Sequence, residues 1–207
     1  MAQDFTSLAS EEVVGRTRTA LESHGFKTEY VATKDAALAR IKELIPQGAS
    51  IMNGASKTLE HIGFVEYLKS GTHGWNNLHE AILAEKDPVK QAFLRQQSSL
   101  SDVYLGSAHA VSETGEIVVA SNTGSQLPHL VFTSKTVILV VGTQKITPTE
   151  VAAIERLEKH VVPLEDERMM GVYGAHTQIS KLLLMRKENP FMQRTVLVLF
   201  VGESLGY

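Results

Sequence analysis

Apolar positions recur at two different periods along this chain, and the period changes about every dozen residues. In "EEVVGRTRTALESHG" the spacing predicts a helix. Ser10 is placed to cap it, Glu11 and Glu12 lie in its first turn where the helix dipole favours anions, and Gly25 is placed to stop it. "FKTEYVA" alternates and predicts a strand. Thr33 then caps a second helix whose Ala37, Leu38, Ile41, Leu44 and Ile45 fall on one face. "ASIMNGAS" predicts a short strand and a polar turn, followed by helix in "KTLEHIGFVEYLKSG".

The stretch from Thr72 to Ser99 is polar, with Pro88 suited to the first position of a helix, and reads as a helical insertion or lid. After it, "DVYLG", "HAVSE" and "GEIVVAS" predict strands. "TVILVVG" at 136–142 is apolar almost throughout, the mark of a strand buried on both faces. In "TPTEVAAIERLEKHV" Thr147 is the expected cap, Pro148 the first helical residue and Glu150 the partner in a capping box. The tail, "KLLLMRKENPFMQRTVLVLFVGE", predicts two segments about a turn at Asn189–Pro190. The first fits strand or helix, and the second is expected as an antiparallel edge strand ending at Gly202. Strands that alternate with helices predict an α/β domain with a mainly parallel sheet flanked by helices, an N-terminal helical part and a small helical insertion, all within one domain over 1–207.

Composition narrows the function. The chain has 207 residues and a net charge of -3, which offers nothing to a nucleic-acid backbone or an anionic membrane surface. It has no cysteine, which excludes disulfides, thiolate metal sites and cysteine-held iron–sulfur clusters. The first residues are polar and acidic, unlike a signal peptide, and no apolar run approaches the ~20 residues of a membrane span, so a cytoplasmic location is expected. His73 and His79 stand six apart, which does not put two ligands on one helix face, and no metal site or cofactor is expected. Trp75 reads as an apolar plug for its loop. There is no Gly-x-Ser-x-Gly elbow for a serine nucleophile.

The candidate chemistry lies in small polar turns at predicted strand ends. They are Asn53-Gly54-Ala55-Ser56-Lys57, Glu113-Thr114-Gly115, Asn122-Thr123-Gly124-Ser125-Gln126 and Gly142-Thr143-Gln144-Lys145. In parallel sheets, ligands bind at the carboxyl ends of the strands. Glycine lets backbone approach a ligand, and Ser, Thr and Asn supply compact donors and acceptors. Lys57 and Lys145 can hold an anion. The turns therefore predict a pocket for a small anionic or polyhydroxy ligand, although each taken singly fits an ordinary turn. Glu113 is a candidate nucleophile or general base, or else an acid that hydrogen-bonds its own turn.

"GASIMNGASKTLEHIGF", "GTHGWNNLHEAILAEKDP", "LGSAHAVSETGEIVVASNTGSQLPHLVFTSK", "VVGTQKITP" and "PLEDERM" together resemble the LUD-domain family, in particular its short lactate-utilisation proteins of the LutC/YkgG-like group. The resemblance covers nearly the whole chain. It implies a fold like that of the NagB/RpiA/CoA-transferase group. It also implies a part in bacterial oxidation of L-lactate to pyruvate beside iron–sulfur partner proteins. Lacking cysteine, this chain would be the component without a cluster. "SETGEI" is similar to the Glu-x-Gly turn of coenzyme A transferases, which would make Glu113 catalytic with Lys145 stabilising negative charge. A free-standing transferase or sugar-phosphate isomerase, and an assembly protein with a vestigial pocket that forms a homodimer or partner interface, are the alternatives.

Overall fold

The computed structural model describes residues 4–207. A six-stranded sheet forms its centre. In chain order the strands are β1 (Lys27–Val31), β2 (Ser50–Asn53), β3 (Asn76–Asn77), β4 (Val103–Gly106), β7 (Thr136–Gly142) and β10 (Thr195–Val201). They lie in the order β1-β10-β7-β4-β2-β3 and every pairing is parallel. A second sheet, ordered β8-β5-β6-β9, is formed by β5 (Ala110–Ser112), β6 (Ile117–Ser121), β8 (Ile146–Thr147) and β9 (Lys181–Met185).

The apolar run at 136–142 occupies the middle of the main sheet, as a strand with no polar face must. Its alternate residues feed two cores. Ile138 and Val140 join Leu197, Leu199 and Val201 of β10 on one face, under α2 (Lys34–Leu44), α3 (Lys57–His61) and α4 (Phe64–Lys69). Val137, Leu139 and Val141 join Val196, Val198 and Phe200 on the other, with Ile117, Val119 and Met185 of the second sheet and Leu21 of α1 (Glu11–Ser23). Beyond the second sheet, Ala110 and Val118 pack on Ala153, Leu157 and Val161. The layers therefore run helix, parallel sheet, second sheet, helix. Strand periodicity alone does not separate two sheets, and this division is not visible in the sequence.

Local signals explain most boundaries. Ser10, Thr33 and Ser56 each accept a hydrogen bond from a backbone N–H in the first turn of α1, α2 and α3. Asp87 caps α6 (Pro88–Gln97), with Pro88 at its start. The 72–99 segment is not wholly helical. Besides α5 (Leu78–Ala84) and α6 it carries β3, which pairs with Ser50 and Ile51 at the sheet edge. Trp75 is buried there, stacked on Phe64 and His73, with its indole N–H donating to the Ile45 carbonyl at 3.3 Å.

Two expectations are corrected. Thr147 does not cap a helix: it is extended in β8, pairs with Ser112 and donates through its hydroxyl to Val111 O. Proline disfavours helical backbone in the residue before it, and Thr149 takes the cap of α7 (Glu150–Arg156) instead, accepting from Ala152 N–H at 3.2 Å. A π-turn at Leu157–Val161 links α7 to α8 (Val162–Tyr173), just before Pro163, whose nitrogen has no hydrogen to donate. The second tail segment is not an antiparallel edge strand. β9 is a strand of the second sheet, and β10 is interior and parallel, held between β1 and β7.

Leu199→Ala, at a fully buried position of β10, should cost about 2–5 kcal/mol in denaturant unfolding. Val151→Ala, at an exposed position of α7, should stay within about 0.5 kcal/mol.

Candidate functional site

Within the main sheet the strand after β2 is β3 and the strand after β4 is β7, on opposite sides of the β2–β4 pair, with β5 and β6 of the second sheet intervening before β7. Such a divergence opens a crevice at the carboxyl ends of the two strands. A cavity of about 640 Å3 lies there, within the range of about 300–1,000 Å3 typical of small-molecule sites. The loop after β2 contributes Gly54, Ser56, Lys57 and Thr58, and the loop after β4 contributes Ser107, Ala108 and His109. The end of β6 supplies Asn122, Thr123, Ser125 and Gln126, while Leu157, Val161 and Arg168 form an outer wall. Gly54 is fixed by close approach: a Cβ there would sit 2.7 Å from the Tyr104 hydroxyl.

Lys145 reaches this cavity from the turn after β7 and is 3% exposed. Its Nζ donates to Thr58 Oγ1 at 2.9 Å, to Ser107 Oγ at 3.1 Å and to Ala108 O at 3.3 Å. No carboxylate lies within ion-pair distance of it among the described residues. Burial, reinforced by the nearby Arg156 guanidinium, pushes the amine down to about 7. Arg156 is itself buried, donates to the His109 carbonyl, and is pushed down to about 10 by burial. His109 is pushed down to about 3 by burial, with Lys145 and Arg156 adding to the effect, so its imidazole is neutral. Its Nδ1 accepts from Ala120 N–H at 3.1 Å.

The other cations at the rim differ in availability. Lys57 pairs with Glu60 at 2.5 Å and Arg168 with Glu165 at 2.6 Å. Arg95, from α6, also lines the cavity, and the only hydrogen bond of its guanidinium among the described residues is to Gln91 Oε1 at 3.3 Å. Sequence reasoning missed Arg95, Thr58, Ser107 and Arg156. A signal for Arg95 existed: Gln91, Ala92, Ser98 and Ser99, its neighbours three and four residues away, include no acid.

Of the predicted residues, Gly54, Ser56, Lys57, Asn122, Thr123, Ser125 and Lys145 meet in the cavity. Asn53 lies beneath it, buried, with its carbonyl bonded to His79 Nδ1 at 3.2 Å. Gly124 turns the 122–126 loop, its N–H donating to Ser121 Oγ at 2.9 Å. Gly142 packs against the backbone of Glu203 and Leu205, and Gln144 donates to Leu205 O at 2.9 Å, so both anchor the segment after β10.

Glu113, Thr114 and Gly115 are not brought to the cavity. They lie at the other end of β6. Glu113 Oε2 accepts from Arg16 Nη2 of α1 at 2.8 Å. Thr114 bonds with Ser112, and Gly115, with φ of 97°, packs so closely on α1 that a Cβ would fall 3.0 Å from the Ala20 carbonyl. This turn docks α1 onto the second sheet. In a shallower depression of about 480 Å3 at the amino ends of β1 and β10, Arg40 and Glu29 are paired with each other, Arg40 Nε donating to Glu29 Oε2 at 2.7 Å.

A mainly parallel sheet flanked by helices, with a cation- and hydroxyl-lined cavity at its diverging strands, places the chain in the α/β class. The chain belongs to the LUD domain family, whose profile matches residues 14–177. No curated protein matches it significantly. Its fold is similar to the crystal structure of a DUF162 family protein from Deinococcus radiodurans, with a TM-score of 0.57 at 14% identity, over 94% of this chain and 99% of that one. Among the described residues, no three His, Asp or Glu side chains cluster as metal ligands, and no helix is long and apolar enough to cross a membrane.

The sign of the Lys145 shift fixes how stability depends on pH. Its value in the folded chain, about 7, lies below the ordinary 10.5. Below about 7 both states carry the proton and the folded chain bears the full cost of a buried charge. Between about 7 and 10.5 the unfolded chain holds a proton the folded chain has released, so stability from this group rises with pH across that window. The charged or titratable groups that sense it are Arg156, His109 and His160, and the paired Glu60 and Glu165 line the same cavity. Lys145→Met should therefore stabilise the unliganded protein, by up to a few kcal/mol below pH 7 and by progressively less toward pH 10, in thermal melts across that range.

Proposed function

We propose that this protein is the cluster-free component of L-lactate utilisation and that its cavity binds a small anionic ligand, a 2-hydroxy or 2-oxo carboxylate. One observation carries the reading: Lys145 and Arg95 line one cavity, and neither has a carboxylate partner among the described residues. Lys145 is buried without a counter-ion, which is costly, while Arg95 is exposed at the rim, and a bound carboxylate is the natural partner of both. Thr58, Ser107, Asn122 and Thr123 supply the neutral hydrogen bonds that suit a hydroxyl or carbonyl beside that carboxylate. Family membership supports the lactate context. With no cysteine to hold a cluster, electron transfer in this reading falls to iron–sulfur partner proteins, and the protein works in the cytoplasm, alone or as a homodimer.

The transferase-like reading required Glu113 in the pocket. That side chain is engaged by Arg16 outside it.

Thermal-shift titration with L-lactate, pyruvate and inorganic phosphate tests the proposal. A ligand at a hundredfold excess over its Kd should stabilise by about 2.7 kcal/mol. Arg95→Met should weaken binding of that ligand about tenfold or more, the worth of one charge-assisted hydrogen bond. Glu113→Gln should leave the affinity unchanged. Absence of any anion-dependent shift, or full affinity in Arg95→Met, would remove the reading.

A further inference from the structure

An anion site needs a fixed positive charge, and Arg95 provides one. Lys145 is built differently. It is buried, sits in front of a second buried cation, and is surrounded by hydroxyl and carbonyl oxygens without a carboxylate to keep it protonated. The same burial that makes the ammonium costly favours the neutral amine, which is the nucleophilic form.

The neighbours also suit covalent chemistry at nitrogen. Thr58 Oγ1 accepts from Nζ and donates to Leu205 O at 3.3 Å, while Ser107 Oγ accepts from Nζ and donates to Ala108 O at 3.1 Å. Each hydroxyl can rotate and so pass a proton between the amine and a bound oxygen. Gly206 closes over the amine from the other side: a Cβ there would fall 3.2 Å from Nζ and 2.4 Å from Thr58 Oγ1, and its φ of 67° suits glycine. The result is a sequestered amine facing a cavity of ligand size.

We infer that Lys145 captures a 2-oxo carboxylate covalently as an imine, with Arg95 holding the carboxylate and the Ser107 or Thr58 hydroxyl moving the proton. This deepens the anion-binding proposal and rests on it. In the addition step the Nζ lone pair bonds to the carbonyl carbon. The carbonyl π pair moves to oxygen, which takes a proton, and nitrogen loses one, giving a carbinolamine. In the elimination step the nitrogen lone pair forms the C=N bond and the hydroxyl leaves as water, taking a proton through the Ser107 or Thr58 hydroxyl that is replaced by the one the nitrogen gives up. One amine and one ketone give one imine and one water, with no change of oxidation state. L-Lactate, which has no carbonyl, can occupy the same site only without this bond. The protein would thus distinguish the oxidised from the reduced member of a 2-hydroxy/2-oxo acid pair by chemistry rather than by shape.

Borohydride trapping of the intact protein with pyruvate tests this. Reduction of the imine adds pyruvic acid less one oxygen atom, read by intact mass, with peptide mapping to locate it. The expected result is a single adduct on Lys145, absent with L-lactate, absent without ligand, and lost in Lys145→Arg. Because mapping of the unaltered protein locates the adduct, the outcome does not depend on the variant folding. Stabilisation by pyruvate in the thermal shift with no adduct on Lys145 overturns the imine and leaves the anion site standing. Adducts spread over surface lysines overturn it equally. Neither shift nor adduct removes both readings.

Discussion

The parallel pairing of β7 with β10, seven residues in register and buried on both faces, is the constraint from which the rest of the molecule follows. A strand with no solvent face must be covered twice, so helices close one side and a second sheet closes the other. Parallel neighbours also force every connection to cross over, which places all the carboxyl ends on one rim. Where the crossings diverge, between β2 and β4, the rim opens. The cavity is thus a consequence of strand order, and the polar turns at 54–58 and 107–109 are its lining because they follow those two strands.

The chain places a lysine at this rim at a cost in stability. A Met or Leu at 145 would fill the space between Thr58, Ser107 and Gly206 without desolvating a charge. Hydroxyls and a main-chain carbonyl soften the cost but do not neutralise it. Destabilisation concentrated at two neighbouring buried cations, Lys145 and Arg156, in a fold otherwise packed with Val, Ile and Leu, is the pattern expected where binding chemistry rather than packing has fixed the residues.

Much of the fold could be read from the residues. Ser10, Thr33, Ser56 and Asp87 are local caps that need no tertiary context, and the 136–142 run has one sensible place in a sheet. The partition into two sheets could not, because period-2 patterns carry no partner identity. The candidate site was half legible. Turns 53–57 and 122–126 and Lys145 follow strands that end on one side of the molecule, and most of their residues line the cavity. Glu113 misleads because Glu-Thr-Gly looks the same at either end of a strand. With five residues of β6 between the two turns, at ~3.4 Å each, they point to opposite sides. Thr147 misleads for a similar reason: Thr-Pro-Thr offers two caps, and only the pairing of Thr147 with Ser112 decides between them.

The shortness of β3 has a bearing on solubility. It covers only Ser50 and Ile51, leaving Met52 and Asn53 beyond its end, where His79 bonds the Asn53 carbonyl from the side. The opposite margin, β1, carries Lys27 and a Glu29 engaged by Arg40. A stray extended segment from another molecule would meet a blunt, side-chain-capped border on one flank and fixed charges on the other. A sheet this apolar is thereby discouraged from templating fibrils at its margins.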